Sequence, residues 1–190
     1  SSQGSISYNA GATWTNITDL APNLVLTSCM SKDGQIIFVG HYEGHASLSV
    51  DGGATFTELT KDLAGTANTN IICSSMSADG QKIIVTKSSN QLLISEDQGA
   101  TWSVVERPDL NMGITNPSNI VCSMSYDGNV IVLGAASGYV SYSADGGSTF
   151  NTLTRGLNSG STSSSVTDIL TNGDTWMVVF AAGRCSISKV

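Results

Sequence analysis

The chain has few charges and few cations in particular. Of its 190 residues, 12% are charged, and eight Lys and Arg residues face fifteen Asp and Glu residues, which gives a formal charge of −7. Nucleic-acid binding needs clustered cations, so DNA and RNA are excluded as partners. No apolar run reaches the roughly 20 residues that span a bilayer, so membrane insertion is not expected.

Metal-binding motifs are also scarce. The four cysteines stand far apart without a CxxC pair, which argues against a zinc knuckle or a redox motif. We expect buried free thiols, and a disulfide between two of them stays open because sequence separation does not fix sulfur geometry. No cofactor is required by any motif, although acid-rich turns could bind calcium.

An eight-residue motif occurs four times. It reads SYNAGATW at 7–14, SVDGGATF at 49–56, SEDQGATW at 95–102 and SADGGSTF at 143–150. Its glycines, Gly11, Gly53, Gly99 and Gly147, are 42, 46 and 48 residues apart. A second motif keeps the same period, with MSKDGQIIFVG, MSADGQKIIVT and MSYDGNVIVLG followed by a degenerate ILTNGDTWMVVF. Such a period is typical of one four-stranded propeller blade per repeat.

Each repeat is predicted to contain strands A, B, C and D. The Asp-Gly pairs at 33, 79 and 127, and Asn-Gly at 172, favour tight A–B turns, and the near-continuous apolar runs that follow indicate a strand B covered on both faces. The sequence therefore predicts an all-β propeller of four blades of four antiparallel strands. Residues 1–190 form one domain, with repeats at approximately 21–60, 66–106, 116–155 and 163–190 plus 1–20.

The eight-residue motif resembles the Asp-box, or BNR, repeat of sialidases and related propellers, and the resemblance covers nearly the whole chain. The acidic side chain can accept hydrogen bonds from turn amides, and the aromatic residue would pin each turn to the neighbouring sheet. We therefore give these side chains a structural role. The set comprises Asn9, Asp51, Asp97, Asp145, Trp14, Phe56, Trp102 and Phe150.

The two chain ends complement each other. The N-terminus supplies C-like and D-like segments, whereas the last repeat supplies A, B and a C-like segment. Residues 12–17 could complete the C-terminal blade and close a four-bladed ring without an open sheet edge. The N-terminus and the last repeat would then both supply a strand C to the same blade. Either one of these strands is displaced, or the ring is larger and closes through another chain.

The resemblance to sialidases implies an arginine triad and a Tyr nucleophile, which this chain does not match. A second resemblance, to xyloglucan-cleaving glycosidases, sortilin-like receptors and photosystem assembly factors, is confined to the repeat. No residue is predicted to be catalytic. A glycoside hydrolase, or a piece of one, remains an alternative that would draw on loop acids such as Glu43, Glu106 or Asp109.

The resemblance to propellers with this repeat implies that the loops opposite the Asp boxes form the ligand face. The segment GHYEGH holds both histidines of the chain beside Tyr42 and Glu43, and aromatic faces stack on sugars while Glu and His bond hydroxyls. A metal on these histidines is the less favoured interpretation. The predicted ligand-binding residues are His41, Tyr42, Glu43, His45, Arg107, Asp109, Tyr139 and Arg155.

These observations predict a non-enzymatic recognition domain that binds a cell-surface glycan or a protein receptor. Extracellular or virion-surface settings suit it, as the exposed domain of a viral or phage spike or of a lectin-like secreted protein. Homo-oligomers are compatible with this role, because multivalency offsets weak single sites. A protein-binding assembly scaffold is the third hypothesis, and the unpaired cysteines favour it by pointing to a reducing compartment.

Overall fold

The computed structural model describes residues 4–21, 23–59, 63, 69–89, 91–105, 121–135, 140–153, 166–172, 174–180 and 184–189. They form five antiparallel sheets. The N-terminal hairpin consists of β1 (Gly4–Ile6) and β2 (Thr15–Ile17). The first sheet contains β3 (Val25–Met30), β4 (Ile37–His41), β5 (Ala46–Ser49) and β6 (Thr57–Leu59).

The remaining sheets repeat the same order. The second sheet contains β7 (Ile71–Met76), β8 (Ile83–Lys87), β9 (Leu92–Ser95) and β10 (Ser103–Val105). The third contains β11 (Val121–Met124), β12 (Ile131–Gly134), β13 (Val140–Ser143) and β14 (Asn151–Leu153). The C-terminal sheet contains β15 (Val166–Thr171), β16 (Thr175–Phe180) and β17 (Arg184–Lys189). The prediction of an all-β chain with four-stranded antiparallel sheets is confirmed.

Glycine allows the predicted turns between strands A and B. Gly34, Gly80 and Gly128 adopt φ angles of 73°, 72° and 73°, a region that Cβ atoms penalise. Strand B follows each turn, and every residue of β4, β8 and β12 is buried. The apolar runs read from the sequence are therefore strands covered on both faces.

The sheets stack in chain order through their inner strands. β3 lies against β7, β7 against β11, and β11 against β15. Between the first and second sheets, Phe38 shares one apolar cluster with Met76 and Ile83. Between the second and third, Ile84 shares a cluster with Met124. Each sheet thus covers the face of the next, as propeller blades do.

The N-terminal hairpin occupies the place of strands C and D of a preceding blade. A Cβ added to Gly53 would lie 2.8 Å from Ile6 Cδ1, just as one added to Gly99 would lie 3.3 Å from Leu48 Cδ2. Leu48 belongs to strand C of the first sheet. Ile6 therefore plays the same part in the hairpin, although strands A and B of that blade are not present among the described residues.

Closure of the ring was predicted through residues 12–17 and the C-terminal blade. In the described residues β2 pairs with β1, and β17 pairs with β16. The four-bladed closed ring therefore stays a prediction. No helix among the described residues is long and apolar enough to cross a bilayer.

Candidate recognition surface

The segment that joins β4 to β5 is held in one conformation by its neighbours. Residues Tyr42–Gly44 form a single 3₁₀ turn in which Glu43 and Gly44 take φ angles of 61° and 80°. The backbone N–H of Glu43 donates to Oδ1 of Asn70, at 3.1 Å, in the segment leading into β7. The turn is thus tied to the second sheet, which lowers the entropy lost when a ligand binds.

Three of the predicted ligand residues reach solvent from this segment. Tyr42 is 45% exposed and Glu43 is exposed. His45 is part-buried, and its Nδ1 lies 2.6 Å from Oε1 of Glu58 on β6. We call Tyr42, Glu43, His45, Glu58 and Asn70 the first-sheet rim. It combines an aromatic ring with two carboxylates on a fixed backbone.

His41 does not belong to this surface, and its prediction as a ligand contact is wrong. Its side chain is fully buried, with Nδ1 3.1 Å from the Asn23 carbonyl oxygen and Nε2 3.0 Å from Ser47 Oγ. Burial of the ring lowers the pKa of His41 below its usual 6.5, because the charged form is poorly solvated. Both ring nitrogens are engaged inside the sheet, so His41 supports the turn without contacting a ligand.

Lys87 is a buried charge that sequence reasoning missed. It ends β8 as His41 ends β4, and it is 1% exposed. Burial lowers the pKa of Lys87. Within the described ranges no hydrogen bond or ion pair of its ammonium group is found. The equivalence of the two strand ends was the signal that could have identified it.

Glu58 is a second residue that sequence reasoning missed. It lies on β6, where its partner across the ladder is Ser47 of β5. A polar residue near the end of an outer strand gave no signal in the sequence, because such residues are commonly solvated. The remaining predicted ligand residues, Arg107, Asp109, Tyr139 and Arg155, lie outside the described residues.

The carboxylates of the eight-residue motif are engaged in their own turns. Oδ1 of Asp51 accepts hydrogen bonds from Ser49 Oγ at 2.8 Å and from the Thr55 N–H at 2.9 Å, and Oδ2 accepts from Thr55 Oγ1 at 2.7 Å. These hydrogen bonds lower the pKa of Asp51 from 3.8 to about 2. The bond from the Thr55 hydroxyl has the largest effect, followed by those from the Thr55 N–H and the Ser49 hydroxyl. Asp97 and Asp145 repeat this pattern. These contacts describe turn-forming groups.

Asn9 makes the corresponding contacts with an amide. Its Oδ1 accepts from the Thr13 N–H at 2.8 Å and from Ser7 Oγ at 3.0 Å, and its Nδ2 donates to Thr13 Oγ1 at 2.8 Å. The first turn therefore keeps the geometry of the other three without a charge.

The aromatic residues of the boxes differ in burial. Phe56 is 8% exposed, and Trp102 packs beside Phe38 with ring centroids 5.8 Å apart. Phe150 is part-buried against the cluster between the second and third sheets. Trp14 is 65% exposed. The prediction that Trp14 pins its turn to a neighbouring sheet is therefore wrong in this structure, because no sheet among the described residues covers this side chain.

Metal ligation finds no support in the described part of the chain, where no group of three or more His, Cys, Asp or Glu side chains converges. Among the described residues, no disulfide joins Cys29, Cys73 and Cys122. Burial raises the pKa of Cys29 to about 12, so this thiol is not a nucleophile at neutral pH.

Comparison with known proteins relates the chain to propellers through structure alone. No family model matches the sequence, and no curated protein matches it. The structure of YCF48 bound to D1 peptide superposes with a TM-score of 0.63 and 13% identity, over 98% of this chain and 70% of that chain. YCF48 from Cyanidioschyzon merolae gives 0.63 and 16%, over 94% of this chain and 60% of that one.

Two further solved structures superpose on the chain to a similar extent. The nidogen/laminin complex superposes with a TM-score of 0.66 and 13% identity, over 93% of this chain and 64% of that one. An ancestral GH74 enzyme gives 0.65 and 18%, over 95% of this chain and 25% of that one. At these identities the likeness concerns the fold alone. The chain therefore has a β-propeller fold, and it spans between 25% and 70% of the length of these propeller chains.

Proposed function

We propose that this propeller is a non-enzymatic recognition domain whose first-sheet rim binds a glycan or a protein receptor on a cell surface. The observation that carries the proposal is the half-exposed ring of Tyr42, on a turn that Asn70 ties to the second sheet. A rigid aromatic residue next to carboxylates offers stacking and hydrogen bonding at a small entropic cost. An extracellular or virion-surface location, as on a spike or a lectin-like protein, accompanies this role.

A protein partner is the second form of the proposal. The printed descriptions of two superposed structures, YCF48 bound to D1 peptide and the nidogen/laminin complex, give proteins as partners. Their identity to this chain is too low to transfer a ligand, but they support a protein-binding use of the same fold, including the assembly scaffold predicted from sequence. The likeness to an ancestral GH74 enzyme is the reason to retain the glycoside hydrolase as an alternative, in which Glu43 would be one of the catalytic carboxylic acids.

The Asp-box assignment and ring closure complete the proposal. We assign the turns at Asn9, Asp51, Asp97 and Asp145 to Asp boxes because of their shared hydrogen bonds. We also propose that an N-terminal strand completes the C-terminal blade, with four repeats to the chain. Calcium is not required by this arrangement, and its effect on binding is part of the test.

The test is binding of the purified chain to a glycan array and to an array of receptor ectodomains, with and without calcium. Tyr42→Ala should weaken binding by about tenfold or more, because exposed aromatic anchors carry much of a recognition interface. Tyr126→Ala is the matched control. Tyr126 is 71% exposed and lies in the β11–β12 turn, which is at the opposite end of the strands from the β4–β5 segment that holds Tyr42.

Each array result has a distinct meaning. Glycan signals lost in Tyr42→Ala and kept in Tyr126→Ala support a lectin-like domain, whereas receptor signals with the same pattern support a protein-binding one. Equal loss in both variants would contradict the rim as the site. If the chain hydrolyses an arrayed glycan and Glu43→Gln abolishes that hydrolysis, the glycoside hydrolase alternative replaces the recognition role.

A further inference from the structure

The segments that join β4 to β5 and β8 to β9 are built alike. In the first, the N–H of His41 donates to the carbonyl oxygen of His45 at 2.8 Å, and in the second, the N–H of Lys87 donates to that of Gln91 at 2.9 Å. Both segments therefore have the same length. They join equivalent strands of neighbouring sheets, so they lie at the same end of those sheets.

Glu43 differs from its counterpart in the second segment, Ser89, in backbone conformation. Glu43 has a φ angle of 61°, whereas Ser89 is not among the described non-glycine residues with positive φ. The other two such residues, Ala10 and Gln98, stand in the eight-residue motif at a position that is glycine in the remaining copies. The motif requires this conformation, but the repeat does not require it of Glu43. Strain of this kind persists only where the surroundings impose it, and it concentrates at functional sites.

Asn70 contacts both segments. Its side-chain Oδ1 accepts the N–H of Glu43 at 3.1 Å. Its backbone N–H donates to Ser88 Oγ at 2.9 Å, and its carbonyl oxygen accepts the N–H of Ser88 at 2.9 Å. One residue therefore fixes the β4–β5 segment relative to the β8–β9 segment, and it holds Glu43 in its strained conformation.

The repeat itself needs only the backbone part of these contacts. Leu24 precedes β3 as Asn70 precedes β7, and its carbonyl oxygen accepts the N–H of Tyr42 at 2.8 Å. A leucine side chain makes no hydrogen bond, and that of Leu24 is 67% exposed. The side-chain amide of Asn70 thus adds a contact that the repeat does not need, and this contact ends on an exposed residue of the first-sheet rim.

The β8–β9 segment offers polar groups without an accessible charge. Ser89 is exposed, and its hydroxyl donates to Oε1 of the part-buried Gln91 at 3.1 Å. Lys87, the cation of this segment, is buried. Hydroxyl and amide groups hydrogen-bond the hydroxyls of a sugar, whereas the anchors of protein interfaces are mainly Trp, Tyr and Arg and seldom Ser. The second segment therefore suits a glycan better than a protein.

We infer that Asn70 is the positioning residue of a binding surface shared by the two sheets, and that this surface binds an oligosaccharide. One sugar residue stacks on Tyr42, and the next contacts Ser89 and Gln91. The inference rests on the proposed function, because it takes the first-sheet rim as the site. Since Asn70 joins the two segments before binding, a longer glycan gains contacts on the second sheet without the cost of ordering it.

The first experiment is binding of the purified chain to an array of oligosaccharides that are printed beside their constituent monosaccharides. The wild type should bind the oligosaccharides more tightly. Ser89→Ala and Gln91→Ala should weaken oligosaccharide binding about threefold more than monosaccharide binding. Ser148→Ala is the matched control, since Ser148 is also exposed and makes one local hydrogen bond, to the Asp145 carbonyl oxygen at 3.1 Å, in the β13–β14 turn at the opposite end of the strands.

The second experiment tests the positioning role by hydrogen exchange of the Glu43 amide, followed by NMR. Asn70→Ala should accelerate this exchange about tenfold and weaken oligosaccharide binding by a similar factor. Asn70→Asp keeps an oxygen acceptor for the Glu43 N–H and should recover most of both effects. Leu24→Ala is the control and should change neither. If Asn70→Ala fails to fold by circular dichroism, Asn70→Leu, which repeats the residue of the first sheet, replaces it.

The outcomes separate this inference from the proposed function. Unaltered exchange of the Glu43 amide in Asn70→Ala would overturn the inference. So would oligosaccharide binding that Tyr42→Ala weakens but Asn70→Ala and Ser89→Ala do not, and the recognition role would then stand on the first-sheet rim alone. Signals from receptor ectodomains without any from glycans would overturn the inference and keep the recognition role. The absence of signals from both arrays would contradict the two together.

Discussion

The first and last copies of the eight-residue motif, proposed above to be Asp boxes, have the same local geometry in different surroundings. In both, the glycine N–H donates a hydrogen bond of 2.8 Å to a serine hydroxyl oxygen, from Gly11 to Ser7 and from Gly147 to Ser143. The last box is packed on the second sheet, where its hydrogen bond is buried, whereas that of the first box is exposed. The turn is therefore specified locally, and its contribution to stability depends on the sheet beside it.

The largest expected difference comes from the two glycines. Gly11 and Gly147 have φ angles of 86° and 100°, which strain any residue with a Cβ atom. A Cβ at Gly147 would also overlap Ile94 Cδ1, whereas at Gly11 its nearest neighbour is Trp14 Cζ2 at 3.9 Å. We expect Gly147→Ala to lower the free energy of unfolding by about 3 kcal/mol and Gly11→Ala by about 1 kcal/mol.

Urea unfolding at neutral pH measures both values. The double variant Gly147→Ala with Ile94→Val is the control, because shortening Ile94 should recover part of the overlap and leave the backbone strain. Equal losses of unfolding free energy in Gly147→Ala and Gly11→Ala would mean that the overlap with Ile94 is relieved without cost. Backbone strain alone would then account for both losses.

The serines should show a smaller difference of the same sign. Ser143 is 0% exposed, so Ser143→Ala leaves the buried N–H of Gly147 without its acceptor and should cost about 2 kcal/mol. Ser7→Ala frees the exposed N–H of Gly11 to water and should cost well under 1 kcal/mol. Thermal unfolding of both variants checks this, and a larger loss in Ser7→Ala would break the comparison.

The comparison also marks what the sequence could predict. Turns and boxes were predictable because their hydrogen bonds join residues two to five positions apart, as between Asp51 and Thr55. Burial of Phe56 and exposure of Trp14 were not, since both residues fill the same motif position and differ in whether a sheet precedes them. The candidate site shows the same division. Tyr42 and Glu43 are exposed, but the ring of His41 is buried, where its nitrogens contact the Asn23 carbonyl oxygen and the Ser47 hydroxyl.

The smallest expected effect is on the free energy of unfolding at low pH. Asn9 holds in the first motif the position that Asp145 holds in the last, so it shows how an amide behaves there. Hydrogen bonds from the Thr149 hydroxyl and N–H and from Ser143 lower the pKa of Asp145 from 3.8 to about 2. The unfolded carboxylate binds a proton more readily than the folded one. Its stabilising contribution is therefore complete above about pH 4 and is lost as the pH falls toward about 2.

Asp145→Asn should remove this contribution while the amide keeps the turn, as Asn9 does with Thr13. At neutral pH the variant should be slightly less stable than wild type, and the difference should shrink as the pH falls toward about 2. Urea midpoints of both proteins at a series of pH values measure it. Asn9→Asp is the reverse control and should gain acid sensitivity. A difference independent of pH would show that the charge of Asp145 contributes nothing beyond the hydrogen bonds that an amide can make.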